Sequence, residues 1–178
     1  MIEAPLPPKA PELRQLLEPL VRHGVDFVLV GGMAGIAHGS NYPSYDLDVA
    51  YAPDHANVER LVGALKEIGV KLRGGPVELP FQLEPRTIET GANFTFVTPH
   101  GDLDVLGHVG GVRSYGQLRA ASEDKEIAGF AVRVASIDHL IAMKRASNRP
   151  KDRNMLEEYI VIADEERAAA QRDEGSSS

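Results

Sequence analysis

Three aspartates in this 178-residue chain have the spacing of metal ligands. Asp46 and Asp48 flank Leu47 in a segment of alternating polar and apolar residues, so on a β-strand both carboxylates point to one face. Like charges this close raise each other's pKa unless a cation lies between them, and Mg²⁺ prefers carboxylate oxygens. Asp104 lies in an otherwise apolar strand, where an unpaired carboxylate is costly to bury, whereas Asp102 is nearer a turn and more solvated. Each motif alone also fits an ordinary exposed strand edge or strand end.

A glycine pair precedes these aspartates. Gly31 and Gly32 directly follow the apolar run 27–30, which predicts a buried strand, and they open a short predicted helix. Glycines there let a phosphate approach the backbone amides, and a helix N-terminus favours negative charge. The alternative is a purely steric role in the turn, which glycine fills more often than it binds phosphate.

The elements that must position these residues follow from periodicity and from turn residues. Strands and helices interleave, which predicts an α/β or α+β domain around one sheet, followed by two C-terminal helices. We expect an irregular segment at 1–10, a core at 11–135, C-terminal helices at 136–170 and a disordered tail at 171–178. Strands are predicted at 27–30, 46–51, 93–98, 103–106 and 130–134. Helices are predicted from Pro11 to Gly24, over 33–38, from the Asp54 cap to Ile68, from the Ser136 cap, and from Pro150.

Composition excludes several classes of protein. The chain has no cysteine, which rules out disulfide scaffolds and thiolate zinc sites. The sequence predicts neither a signal peptide nor a membrane span, so we expect a cytoplasmic protein without a membrane partner. A net charge of −7 disfavours nonspecific coating of nucleic acid, although one local basic patch is present. That patch, which equally fits a solvated helix end, comprises Lys144, Arg145, Arg149, Lys151 and Arg153.

Taken together, these motifs are more specific than any one alone. Residues 27–51 carry an apolar strand, Gly-Gly, a short helix and Asp-Leu-Asp, and a later Leu-Asp-Val contains Asp104. The pattern resembles the DNA polymerase beta-type nucleotidyltransferase superfamily, and in particular its small prokaryotic members of the AbiEii and MenT toxin type. The stretch from Leu140 to Asp152 is similar to a Lys, Arg and Lys/Arg-Asp motif of those families. The resemblance covers about residues 20–160, and it implies a nucleotidyltransferase fold with a mixed central sheet flanked by helices.

The resemblance also implies roles for individual residues. Asp46, Asp48 and Asp104 would be the catalytic metal ligands. Asp46 and Asp48 would hold the Mg²⁺ bound to the nucleotide, and all three would hold a second ion. Mn²⁺ is the alternative ion. Nucleotide binding would fall to Gly31, Gly32, Ser44 and Lys144, whereas Asp152 and Arg149 would orient a neighbouring cation or meet the acceptor.

Two positions depart from the family pattern. Relatives often have an arginine where this chain has Tyr42, which removes a cation that could hold phosphate or substrate. Relatives also often have a second aspartate at the position of Met155. The competing dinucleotide-binding fold needs G-x-G-x-x-G, which residues 31–35 do not supply. The spacing of His38, His100 and His108 matches no helical pair of metal ligands, and we expect His38 to be a helix-end residue.

The sequence therefore predicts an enzyme that moves NMP from an NTP, such as ATP, to an acceptor hydroxyl. The acceptor could be a tRNA end, another RNA, a protein or a small molecule, and the protein could be the toxin of a toxin–antitoxin system with a cognate antitoxin. The alternative is a non-catalytic nucleotide- or partner-binding protein, either an antitoxin or a pseudoenzyme. Metal-dependent turnover of nucleotide separates the two.

Overall fold

The fold is seen in a computed structural model that describes residues 9–74 and 81–176. Its helices are α1 (Leu13–Arg22), α2 (Gly31–Ala37), α3 (His55–Ile68), α4 (Pro85–Ile88), α5 (Tyr115–Ala120), α6 (Ile137–Ser147) and α7 (Pro150–Ser176). Its strands are β1 (Phe27–Val30), β2 (Asp46–Tyr51), β3 (Lys71–Leu72), β4 (Asn93–Thr98), β5 (Gly101–Leu106), β6 (Glu123–Ile127) and β7 (Phe130–Val134).

One mixed sheet joins these strands in the order β3-β4-β5-β2-β1-β7-β6. The pairs β2–β5 and β1–β7 are parallel, and the other neighbours are antiparallel. In the β2–β5 pair, Asp46 lies opposite Asp102 and Asp48 lies opposite Asp104. Since laterally paired residues point to the same side of a sheet, all four carboxylates share one face.

Alternation along β2 and β5 separates this carboxylate face from the core. Leu47, Val49, Leu103 and Val105 are fully buried on the opposite face. Strand β1 is buried along its whole length, as a continuous apolar run in the middle of a sheet should be. Helix α1 packs against α3, and α6 packs against α7. The apolar core therefore fixes the register that brings the aspartates side by side.

The helix boundaries predicted from cap residues agree with the structure. The Asp54 side chain accepts a hydrogen bond from the Asn57 amide at 3.0 Å, and Gly69 ends α3 in the left-handed region. The Ser136 hydroxyl accepts a hydrogen bond from the His139 amide at 3.2 Å at the start of α6. The predicted fold class, a mixed sheet flanked by helices with C-terminal helices, is confirmed.

Other boundaries differ from prediction. Helix α2 begins at Gly31 rather than at Met33, and α5 and β6 were not predicted. Strand β6 has four charged residues among its five, so its sequence shows no apolar pattern, and among the described strands it pairs only with β7. Helix α7 continues to Ser176, through most of the predicted tail, because alanine, glutamate, arginine and glutamine favour helix. Most of the predicted irregular segment 1–10 lies outside the described residues.

None of the helices within residues 9–74 and 81–176 combines the length and the apolar character that crossing a membrane requires.

Candidate functional site

Asp46, Asp48 and Asp104 converge at one point on the exposed side of the sheet. Each offers a carboxylate oxygen, and these oxygens lie within 4.8 Å of one another. All three side chains are half-buried. Convergence follows from the parallel register of β2 and β5, which places Asp48 beside Asp104, and from the two-residue repeat that puts Asp46 on the same face.

The electrostatics of this carboxylate cluster are unfavourable without a cation. Burial raises the pKa of Asp48, and the neighbouring charges of Asp104 and Asp46 raise it further. Burial likewise raises the pKa of Asp104, with a contribution from the charge of Asp46. Hydrophobic strands thus hold carboxylates together that would separate in solution.

The residues present fit a hard divalent cation. All the converging donors are carboxylate oxygens, the ligand type that Mg²⁺ and Mn²⁺ take. In addition, Oδ1 of Asp104 is buried and has no hydrogen-bond partner within residues 9–74 and 81–176. A buried carboxylate oxygen without a partner carries a desolvation cost that a bound cation removes.

Gly31 and Gly32 bring α2 against this cluster. Gly31 has a φ of +68°, a conformation that favours glycine, and a Cβ added there would lie 2.2 Å from Oδ2 of Asp48. A Cβ added at Gly32 would lie 2.7 Å from the Ser44 hydroxyl oxygen, which itself donates to the carbonyl of Asp46 at 3.2 Å. Close packing against Asp48 and Ser44 therefore requires glycine at both positions. This is the steric role that the sequence suggests as the alternative to phosphate binding.

Lys144 and Asp152 form a second charged cluster beside the first. The Asp152 side chain is 2% exposed and accepts hydrogen bonds from Lys144 Nζ at 3.0 Å, from the Ser147 hydroxyl at 2.6 Å and from Arg149 Nε at 3.1 Å. Burial acts to raise the pKa of Asp152, but these hydrogen bonds outweigh it and hold the pKa well below its usual value. Asp152 therefore bonds two cations, Lys144 and Arg149, and its role in orienting one of them or in meeting the acceptor stays a prediction. The charge of Lys144 also acts on Asp48, where it offsets a small part of the rise in pKa.

The rest of the basic segment lies at the surface. Arg149 keeps 59% of its side chain exposed even though it bonds Asp152, and Arg145, Lys151 and Arg153 are exposed. Lys144, predicted to bind nucleotide, and Arg149, predicted to meet the acceptor, thus share the Asp152 carboxylate. Met155, where relatives often have aspartate, packs against the apolar core.

Sequence reasoning missed the contribution of α7 to this region. The Glu158 carboxylate accepts from the Ser40 hydroxyl at 2.6 Å and from the Asn41 amide at 2.9 Å, which fixes the loop leading to Ser44 and Asp46. Tyr159 is fully buried against Gly35 of α2. The available signal was spacing: Tyr159 lies seven residues after Asp152 and thus on the same helix face.

The histidines have separate partners. His38 caps the end of α2 as predicted, with Nδ1 2.6 Å from Glu166 Oε1 and Nε2 2.8 Å from the Ala135 carbonyl oxygen. His38, Glu123 and Glu166 form a second group of potential metal ligands, whose ligand atoms lie within 4.8 Å of one another. His100 contacts Glu12, and the backbone amide of His108 donates to Asn93. The Ala135 contact and the Glu166 contact already occupy both nitrogens of His38.

Solved structures of an adenylyltransferase and of an antibiotic-resistance factor share this arrangement of strands and helices. The lincomycin-bound crystal structure of the lincosamide antibiotic adenylyltransferase LnuA aligns with a TM-score of 0.58 at 14% identity, covering 85% of this chain and 96% of that chain. The solution structure of the antibiotic-resistance factor ANT(2'')-Ia aligns with a TM-score of 0.52 at 15% identity, covering 93% and 96%. Its crystal structure with adenylyl-2''-tobramycin gives 0.53 at 16% identity, covering 86% of both chains.

No protein-family model and no curated protein matches the sequence. The likeness is therefore one of fold at low identity, and it does not test the AbiEii or MenT subtype. The chain has the nucleotidyltransferase fold, with three carboxylates gathered on the exposed face of its sheet.

Proposed function

We propose that the chain is a metal-dependent nucleotidyltransferase that moves a nucleoside monophosphate from an NTP to an acceptor hydroxyl and releases pyrophosphate. The observation that carries the proposal is the convergence of Asp46, Asp48 and Asp104, with a buried and unpartnered oxygen on Asp104. A purely structural role would leave this clustered negative charge without a bonded cation, whereas Asp152 shows how the same protein satisfies a buried carboxylate with its own donors.

Asp46, Asp48 and Asp104 would hold the Mg²⁺ or Mn²⁺ that such a reaction needs. A divalent ion in this position neutralises phosphate charge and lowers the pKa of the acceptor hydroxyl. The carboxylates have two tasks of their own. They bind the cation, and their attachment to adjacent strands of one sheet fixes the direction from which phosphate and hydroxyl approach.

Three groups surround the place where the triphosphate would lie. The amides at Gly31 and Gly32 begin α2 next to Asp48, and the Ser44 hydroxyl lies against Gly32. Lys144 is 15% exposed and is held by Asp152, so its charge is pre-positioned near Asp48. We expect the amides and Ser44 to bind phosphate oxygens and Lys144 to stabilise the negative charge that develops as pyrophosphate leaves.

The acceptor belongs to one of three chemical classes: a small hydroxylated molecule, RNA (tRNA included) or a protein. The names of the similar structures pair LnuA with lincomycin and ANT(2'')-Ia with an adenylylated tobramycin, which motivates the small-molecule class. A polyanionic acceptor such as RNA is motivated by the exposed cations Arg145, Lys151 and Arg153. In that case Arg149 would contact the acceptor while it remains bonded to Asp152. A toxin that modifies RNA or protein, controlled by an antitoxin, would use the polyanion or protein class.

Transfer of label tests the proposal. The full chain is incubated with each α-labelled NTP, Mn²⁺ or Mg²⁺, and in separate reactions total RNA, lysate protein, or a panel of lincosamides and aminoglycosides. We expect one acceptor class to take label in a metal-dependent reaction. Asp48→Asn should reduce transfer to background, and the control Asp138→Asn, on an exposed α6 aspartate paired with Arg167, should leave it unchanged.

The competing proposal is a non-catalytic protein, either an antitoxin or a pseudoenzyme, that uses the same site to bind nucleotide. It predicts stabilisation of the wild-type chain by Mg²⁺ and an NTP without transfer to any acceptor. Transfer that persists in Asp48→Asn would contradict the assignment of the carboxylates under either proposal.

A further inference from the structure

The hydroxyl of Tyr159 is a polar group that the proposed mechanism leaves unused. Tyr159 is 0% exposed, and its hydroxyl oxygen has no hydrogen-bond partner within residues 9–74 and 81–176. A phenolic hydroxyl that served packing alone would cost stability, because it loses its hydrogen bonds with water on burial. Phenylalanine would fill nearly the same volume without that cost, so the presence of the hydroxyl indicates a hydrogen-bond partner.

The glycines of α2 place this hydroxyl relative to Asp48. A Cβ added at Gly35 would lie 2.2 Å from the Tyr159 hydroxyl oxygen, and one added at Gly31 would lie 2.2 Å from Asp48 Oδ2. Gly31 and Gly35 are the first and fifth residues of α2, so these two contacts lie about one helical turn, roughly 5.4 Å, apart along its axis. Asp48 and Tyr159 therefore contact the same short helix about one turn apart.

Of the carboxylates whose charges act on Tyr159, Asp48 alone accepts no hydrogen bond from a hydroxyl, amide or cationic group within residues 9–74 and 81–176. The charges of Glu158, Asp152 and Asp48 all add to the effect of burial, which raises the pKa of Tyr159 to about 12. Glu158 is bonded to Ser40 and Asn41, and Asp152 is bonded to Lys144, Ser147 and Arg149. In the described part of the chain, Asp48 instead faces two carboxylates and the backbone of Gly31, and the charge of Lys144 acts on it without a hydrogen bond.

We propose that Tyr159 is a positioning residue for Asp48: its hydroxyl donates a hydrogen bond, through one ordered water, to the Asp48 carboxylate and holds it in the orientation that binds a divalent ion. A water that bonds both groups at a near-tetrahedral angle bridges oxygens about 4.5 Å apart, and about 5.5 Å apart at most, which is comparable to the rise of one turn of α2. Carboxylates that ligate metals are themselves held by hydrogen bonds, and loss of such a partner typically weakens metal binding about 10–100-fold. The inference rests on the proposed metal site.

The test is Mn²⁺ binding by the full chain without nucleotide, measured by calorimetry on wild type and Tyr159→Phe. We expect the variant to bind Mn²⁺ at least about tenfold more weakly, while its metal-free melting temperature stays equal to that of wild type or rises. The matched control is Tyr51→Phe, which removes a hydroxyl bonded to the Ile88 carbonyl at 2.9 Å, at the end of β2 remote from Asp46. That control should melt at a lower temperature and keep wild-type Mn²⁺ affinity.

The possible results separate this inference from the proposed function. If wild type binds Mn²⁺ and Tyr159→Phe binds it within twofold of the wild-type dissociation constant, the role of Tyr159 is refuted and the metal site stands. If wild type binds no Mn²⁺, the metal site is refuted and the inference with it. A large fall in the metal-free melting temperature of Tyr159→Phe would also contradict the inference, since it would assign the hydroxyl to folding.

Discussion

Two clusters of charged residues lie side by side in this protein, and they are built in opposite ways. Asp152 is buried and accepts hydrogen bonds from a lysine, a serine and an arginine, and its pKa is held well below the usual value. Asp48 and Asp104 are partly buried among carboxylates, their pKa values are raised, and one oxygen of Asp104 has no partner in the described residues.

Under the proposed function, the contrast separates a carboxylate satisfied by the chain's own donors from carboxylates that a bound cation would satisfy. The Asp152 cluster is balanced by the chain's own donors, and it fixes Lys144 in place. The cluster of Asp46, Asp48 and Asp104 is held together by the register of β2 and β5 at an electrostatic cost. Two of its carboxylates carry perturbed pKa values at a sheet face, and such values mark candidate functional sites more strongly than the acidic composition itself.

The largest expected effect is a loss of transfer rate on β5, which carries Asp104 inside the carboxylate cluster and Asp102 outside it. Asp104→Asn should lower the transfer rate at least about 100-fold, because it removes a charge that acts on the reacting groups. Asp102→Asn, on the same strand and face, should change the rate less than about twofold, because Asp102 is 40% exposed and paired with Arg73 at 2.7 Å. Single-turnover transfer assays measure both. Equal losses in the two variants would remove the distinction between Asp104 and Asp102.

An intermediate effect is expected from the balanced cluster. Asp152→Asn removes the charge that three donors share, so it should lower the free energy of unfolding by about 2 kcal/mol. Freed from its anchor, Lys144 should support nucleotide less well, with a KM for NTP raised about tenfold and a smaller change in kcat. Lys144→Ala should match the KM change with a smaller loss of stability. Denaturant melts and steady-state kinetics test the prediction, and unchanged stability in Asp152→Asn would contradict it.

The smallest effect is a difference in pH dependence. The raised pKa of Asp48 means that the folded chain binds this proton more tightly than the unfolded chain, so its contribution to stability is lost as pH rises from about 4 through the raised value. The lowered pKa of Asp152 has the opposite sign: its contribution is present at neutral pH and is lost as pH falls below about 4. In EDTA, the melting temperature of wild type relative to Asp48→Asn should therefore fall by about 3–6 °C from pH 5 to 8. If the melting temperatures of wild type and Asp48→Asn changed equally with pH, the claim that burial and neighbouring charges raise the pKa of Asp48 would be contradicted.

Much of the fold could be predicted because local sequence patterns specify many of its helices and strands. The apolar run of β1, the alternation of β2 and the caps Asp54 and Ser136 each specify an element from a few neighbouring residues. Strand β6 could not be predicted, because its charged sequence becomes a strand only through pairing with β7. The end of α7 was also missed, because Gly175 and the serines after it weigh towards disorder while the residues before them favour helix.

The candidate site was predictable only in part, for a related reason. The grouping of Asp46, Asp48 and Asp104 follows from strand parity and from the resemblance, and the structure brings the three together. The packing of Gly32 against Ser44 and of Gly35 against Tyr159 depends on how α2 meets the loop and α7, which no local pattern encodes. The shared use of Asp152 by Lys144 and Arg149 is likewise a tertiary contact.

The most direct test of the central claim is a calorimetric titration of the metal-free chain with Mn²⁺, in parallel for wild type, Asp48→Asn and Asp152→Asn. The claim that the cluster of Asp46, Asp48 and Asp104 awaits a cation predicts saturable binding to wild type. It predicts little or no binding to Asp48→Asn, and binding to Asp152→Asn close to that of wild type. Absence of Mn²⁺ binding by wild type, or equal binding by wild type and Asp48→Asn, would contradict it.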